Sequence, residues 1–173
     1  DVPTDITPQS ANSYRTSADQ AQDAAMVMDF VRKQWHVPVV LVGTSRGTIS
    51  AANTAARLER GNADALVLTS TVTQNNKKAS CTVYNADLGR IAIPVLIFHN
   101  EQDACKVSPY SGVRGLQSAL KNAPRKDIVS ISHGDGIADA CQGMSAHGYL
   151  GVEGQAVAAI AKWVFTNVPQ SAK

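Results

Sequence analysis

The stretch VPVVLVGTSRGT, from Val37 to Thr48, limits what this chain can fold into more than any other. Val39, Val40, Leu41 and Val42 run without a polar interruption, the signature of a strand buried on both faces. Gly43 and Gly47 bracket Thr44, Ser45 and Arg46, and glycine permits a turn too tight for other residues. An alanine-rich segment follows, with Ile49, Ala52, Ala56 and Leu58 marking a helix and Gly61-Asn62 closing it. Strand, tight turn and helix in that order would hold the central serine out at the tip. G-x-S-x-G in this setting is the pattern of a nucleophile elbow. An ordinary strand-to-helix turn is the alternative, so the rest of the chain has to supply partners for Ser45.

The flanking elements repeat the alternation. A helix is expected from Ser17, with Gln20 completing a capping box and Ala21, Ala24, Ala25, Met28, Val31 and Trp35 at helical spacing. The opening seventeen residues, polar and carrying Pro3 and Pro8, read as a loop and not as a signal peptide. Further strands are expected at Ala65–Val72, Ile93–Asn100 and Asp127–Gly134. Thr73 to about Arg90 reads as a polar excursion, with Lys77-Lys78 in a solvated loop. Helices are expected over Val113–Lys121 and from Val152 onward, the last with Val157, Ile160, Ala161 and Val164 inward. Apolar strands alternating with helices predict a parallel sheet covered on both faces. Right-handed crossovers then bring the carboxyl ends of the strands to one edge, where ligands bind in such sheets.

Composition narrows the function. A chain of 173 residues, 44% hydrophobic and 17% charged, can build a core, and its net charge of +2 offers no footprint for nucleic acid. No apolar run is long enough to span a bilayer. A Walker loop, a G-x-G-x-x-G fingerprint and a paired C-x-x-C are all missing from the sequence, and no His or Cys pair has the spacing of a zinc site, so zinc is not expected.

A serine hydroxyl needs a base to take its proton and a carboxylate to hold that base's tautomer. Glu101 and Asp103 lie just past the third strand, and Asp103 is placed where a loop can turn it back across the sheet edge. Glu101 is the second candidate for the acid. Of four histidines, His36 precedes the elbow strand at the wrong end of the sheet, and His99 precedes the acid. His133 ends the fourth strand, whereas His147 stands on a loop that can swing over Ser45 and preserves the chain order serine, acid, histidine. His147 is the favoured base and His133 the alternative.

The motifs VGTSRGT at Val42–Thr48, HNEQDAC at His99–Cys105 and SAHGYLGVE at Ser145–Glu153 resemble those of an α/β-hydrolase, and more narrowly of small bacterial hydrolases related to the dienelactone hydrolase group. The resemblance runs from about Ser17 and covers the C-terminal two-thirds of the usual fold. It implies one domain over residues 1–173, a three-layer parallel sheet with helices on both faces, N-terminally incomplete. It further implies Ser45 as nucleophile, His147 as base, Asp103 as orienting acid, and cleavage of a small-molecule ester or related acyl bond without a cofactor. The Arg46 N–H, next after the nucleophile, is one expected oxyanion donor. A second donor comes, in such folds, from a loop ahead of the elbow that this sequence lacks. The elbow strand is accordingly expected either to be covered by a separate N-terminal segment or second chain, or to present an open edge. A catalytically weak binding or scaffold protein on the same fold is the rival reading. Arg46 has two further readings, a hold on a substrate carboxylate or a brace of the elbow against an internal acid.

Three cysteines remain: Cys81, Cys105 and Cys141. If the acid and histidine loops converge, Cys105 and Cys141 are brought near each other and a disulfide is expected, with two free thiols as the alternative. Such a bond favours a periplasmic or secreted protein and leaves Cys81 odd.

Overall fold

The structure is a computed structural model that describes residues 8–58, 63–76, 80–136 and 139–169. Four parallel strands, β1 (Val40–Thr44), β2 (Ala65–Thr69), β3 (Val95–Asn100) and β4 (Lys126–Ile131), form one sheet in the order β1-β2-β3-β4. Each strand pairs beside its predecessor, so right-handed crossovers place every connection on the same face. That face holds α3 (Gly47–Arg57) and α4 (Val113–Ala119), and its core joins Ala52, Leu66, Leu68, Val95, Ile97, Leu116 and Leu120. The opposite face is left for the element after β4. There α5 (Glu153–Asn167) packs with Val67, Leu96, Phe98, Ala156 and Trp163, and the Trp163 indole N–H donates to Asp127 at 2.7 Å to pin helix to sheet. The three-layer architecture expected from the sequence is present.

Several local expectations are corrected. The opening segment contains a helix, α1 (Pro8–Arg15). Pro8 is its first residue, where the missing N–H would have no intrahelical partner in any helix, so proline here starts a helix instead of preventing one. Ser17 does cap α2 (Ala18–Trp35), accepting from the Gln20 N–H at 3.1 Å. The reciprocal half of the capping box does not form. The Gln20 amide turns inward instead, bonding Thr54 and Asn53 of α3 at 3.1 and 2.9 Å, which couples α2 to α3 through buried polar groups. The region after β2 is not merely polar: two short 3-10 turns, Val83–Asn85 and Leu88–Arg90, bury Val83, Ala86 and Leu88. On α5, Val157 faces out at 66% exposure, because Ala156, Ile160 and Trp163 define the stripe against the sheet. The closures assigned to Gly61-Asn62 and the Lys77-Lys78 loop lie outside the described residues, as does Pro3.

The elbow strand departs most from its sequence signature. β1 is an edge strand, paired among the described residues only with β2, and Val42 is 58% exposed. Its apolar run therefore is not buried on both faces among the described residues. β2 and β3, the central strands, are buried at every position.

Candidate active site

All four strands point their carboxyl ends to the same edge. Of the three residues singled out by chain order, Asp103 and His147 make contact, while no hydrogen bond joins Ser45 to His147 Nε2 among the described residues. Ser45 follows β1 directly and adopts φ +52°, a left-handed conformation costly for a residue with a Cβ. Its strain is held from three sides. The Ser45 N–H donates to the Thr69 carbonyl at 3.0 Å, and its carbonyl accepts from the Thr48 N–H at 3.0 Å and from the Thr48 hydroxyl. Gly43 allows the helix to come this close: a Cβ there would lie 2.6 Å from the Gly47 carbonyl oxygen. Arg46 forms the N-cap of α3, so its N–H sits at the positive end of that helix.

Asp103 and His147 meet. The His147 Nδ1 lies 2.8 Å from Asp103 Oδ2, with side chains 4% and 0% exposed. The other carboxylate oxygen of Asp103 accepts from the Cys105 N–H at 2.9 Å, and the Asp103 N–H donates to the Asn100 carbonyl at 3.1 Å. A carboxylate so placed holds the Nδ1–H tautomer, which makes Nε2 the basic nitrogen. His147 Nε2 is buried and has no hydrogen-bond partner among the described residues.

The loop carrying His147 is tied down by groups that sequence reasoning missed. The Asn100 amide donates to the Ala146 and His133 carbonyls at 2.9 and 2.8 Å. The Ser70 hydroxyl donates to the His147 carbonyl at 2.7 Å, and the Tyr149 hydroxyl sits 3.0 Å from Ser70 and donates to the Phe98 carbonyl at 3.2 Å. Burial pushes the Tyr149 hydroxyl up to about 12, so it remains a neutral donor. The signal was available in outline: Ser70 and Asn100 are polar residues at the ends of apolar strands, where buried side chains need partners.

The alternative candidates go elsewhere. Glu101 is exposed and accepts from the Ser130 hydroxyl at 2.6 Å. His133 lies past the end of β4, which stops at Ile131, and pairs with Asp135 at 3.2 Å. His36 caps α2 at the far end of β1. His99 is 1% exposed on β3, packs edge-on against Tyr110, and donates through Nδ1 to the Asn100 carbonyl at 3.1 Å.

His99 offers a pH test. Burial, the largest cause, holds its pKa below the ordinary histidine value; the Asn100 carbonyl and the Asp103 carboxylate act in the opposite direction. The unfolded chain therefore takes up the proton first as pH falls through about 6.5. This contribution to stability is fully present above that value and is lost as pH falls towards the folded pKa. His99→Gln should flatten the decline of the urea midpoint between about pH 7 and about pH 5 relative to wild type. Parallel declines in the two proteins would assign the acid sensitivity to other groups.

The cysteines converge as the loops do. Cys105 and Cys141 form a disulfide with S–S 2.07 Å and Cα–Cα 4.7 Å, and Cys81 is free. Possible ligand atoms of Asp103, Cys105 and His147 all lie within 4.8 Å of one another, a grouping assembled from distant parts of the chain that sequence spacing did not expose. No described helix is long and apolar enough to cross a membrane.

The sheet, its helices and this edge define an α/β-hydrolase fold. The likeness extends to solved structures of that fold at low identity. A protein from Klebsiella pneumoniae, provisionally assigned as a dienelactone hydrolase, superposes with TM-score 0.56 at 18% identity, covering 84% of this chain and 58% of its own. An esterase domain from Rhodothermus marinus gives TM-score 0.56 at 14% identity, covering 89% and 72%. Est1E of Butyrivibrio proteoclasticus, solved with ferulic acid bound, gives 0.55 at 16%, covering 85% and 67%. This chain thus spans between 58% and 72% of the length of these three structures. No protein-family model and no curated protein matches the sequence.

Proposed function

We propose that the protein is a serine hydrolase that cleaves small carboxylic esters through Ser45, His147 and Asp103. The observation that carries this reading is the buried Asp103–His147 hydrogen bond, which leaves Nε2 unpartnered at the edge where Ser45 stands on its strained turn. In the proposed reaction the Ser45 hydroxyl adds to the ester carbonyl as its proton passes to His147 Nε2. The developing oxyanion is met by the Arg46 N–H. Collapse expels the alcohol, which takes the proton from His147, and leaves an acyl-enzyme. Water then adds with its proton going to Nε2, and the carboxylic acid departs as Ser45 recovers its hydrogen. Asp103 keeps the imidazole in the required tautomer and stabilises the imidazolium. The solved esterases of this fold support an ester as substrate, and the Cys105–Cys141 bond supports an oxidising, periplasmic or secreted setting.

A second reading is a binding protein of low catalytic power, in which the Arg46 N–H is the one donor that meets the oxyanion. Losing one oxyanion donor costs about 10²–10³ in turnover in comparable sites, so incomplete coverage there would show as weak activity. One experiment addresses both. A fluorophosphonate should add covalently to Ser45, with the adduct located by peptide mass. Labelling that persists unchanged in Ser45→Ala would remove Ser45 from the role, and no labelling of wild type would favour the binding reading.

A further inference from the structure

Asp103, Cys105 and His147 combine a carboxylate, a sulfur and an imidazole in one buried cluster, and those are three of the ligand types that zinc accepts. One of the three is withheld, because Cys105 Sγ is bonded to Cys141. A disulfide sulfur carries no charge to offer a cation; a thiolate is a strong ligand. We propose that breaking the Cys105–Cys141 bond creates a site for a thiophilic divalent cation, zinc or cadmium, held by Asp103, Cys105 and His147. The disulfide is thus a gate on metal capture.

The chemistry balances with a dithiol as reductant. Its first thiolate attacks a sulfur of the bond, and Cys141, which is exposed where Cys105 is 1% exposed, is the reachable one. The Sγ–Sγ bond breaks and Cys105 leaves. The second thiol of the reductant then closes its own disulfide and frees Cys141. The protein gains two S–H groups and the dithiol is oxidised. Metal binding next displaces the Cys105 proton to solvent, since a coordinated thiol is held deprotonated.

Geometry favours the site once the bond is cut. Tetrahedral zinc, with bonds of about 2.0–2.3 Å, sets its ligand atoms about 3.3–3.7 Å apart, and the present atoms are within 4.8 Å before any adjustment. Asp103 and Cys105 belong to one short turn, already closed by the Cys105 N–H on Asp103 Oδ1 at 2.9 Å. His147 is held over them by Ser70 and by the Asn100 bond to Ala146. If the metal takes Nδ1, the ring proton moves to Nε2, which has no partner among the described residues to oppose it. The inference concerns binding and does not depend on whether Ser45 is a nucleophile.

The test uses cadmium alone, followed by its thiolate charge-transfer absorption, in a Cys81→Ser background so that the other thiol does not contribute. Cys141→Ser leaves Cys105 permanently reduced and should bind one cadmium per chain. The disulfide-bonded protein and Cys105→Ser should show no such band. Adding Asp103→Asn or His147→Ala to Cys141→Ser should weaken binding at least about tenfold, the lower bound for disturbing even an outer partner of a metal. Reducing the otherwise unaltered chain with a phosphine, which takes oxygen from water to become the phosphine oxide, should produce the same band without a substitution at the bridge. That arm keeps the test valid if Cys141→Ser folds poorly. Binding that is equal in Cys141→Ser and Cys105→Ser, or indifferent to Asp103 and His147, would overturn the proposal.

Discussion

Ser45→Ala and His147→Ala should each lower kcat on an activated ester by about 10⁶, and the double substitution should cost little more than either alone. In the proposed reaction the two groups act in one step: without the base the hydroxyl is not activated, and without the hydroxyl the base has nothing to activate. Asp103→Asn should cost about 10⁴, because an amide in place of Oδ2 no longer holds the Nδ1–H tautomer. The fold itself should survive the serine change, since Ser45 is held through its own backbone bonds to Thr69 and Thr48, which alanine retains. Left-handed backbone at this position is no harder for alanine than for serine in steric terms. The result that defeats the assignment is an effect of tenfold or less at either residue, measured on the same ester with folding verified by circular dichroism. A dead His133→Ala alongside an active His147→Ala would move the base to His133, two residues past the end of β4.

The extent to which this arrangement was legible from sequence differs by element, for physical reasons. β2 and β3 announce themselves because central strands are apolar at every position, and both are fully buried. For β1 the same composition does not translate into full burial, as Val42 shows at 58% exposure. Val39–Val42 carries the composition of a central strand, yet edge or centre is decided by what lies alongside, which a local run does not encode. The tight turn was legible since Gly43 must let the Gly47 carbonyl approach to within 2.6 Å of where a Cβ would stand. Asp103 and His147 were placed together by topology: both follow strand ends in a parallel sheet, and so reach the same edge. Their supports were legible only as polar residues at strand ends that need partners, not in which partners they take. Asn100 and Ser70 act through amide and hydroxyl bonds to backbone carbonyls some distance along the chain, and no spacing rule records such contacts. Gln20 shows the same limit, since it satisfies a capping pattern on paper and spends its amide on α3.

Cutting the Cys105–Cys141 bond should lower folding stability by about 3–4 kcal/mol on the chain-entropy estimate for a loop of this size. The bridged residues are 36 apart, so the unfolded chain regains the freedom of a sizeable loop once the bond is gone. The loss is expected whether the bond is removed by Cys141→Ser or by reduction, because both act on the unfolded state. Cys105→Ser should cost somewhat more, since it also places a hydroxyl where a sulfur is 1% exposed. Urea unfolding read by tryptophan fluorescence gives the measurement, with Trp163 packed between α5 and the sheet as a reporter of the core. The opposing possibility has a clear structural basis: Asn100, Ser70 and the Ser145 hydroxyl, which donates to the Gln142 carbonyl at 2.7 Å, already hold the histidine loop in place. If those bonds keep the loop near Cys105 even in the unfolded ensemble, the entropy to be regained is small. A loss below about 1 kcal/mol in both variants would favour that account over the covalent tether. A loss near the full estimate would mean that the loop bearing His147 is positioned natively by hydrogen bonds but kept within reach of Asp103 by the disulfide.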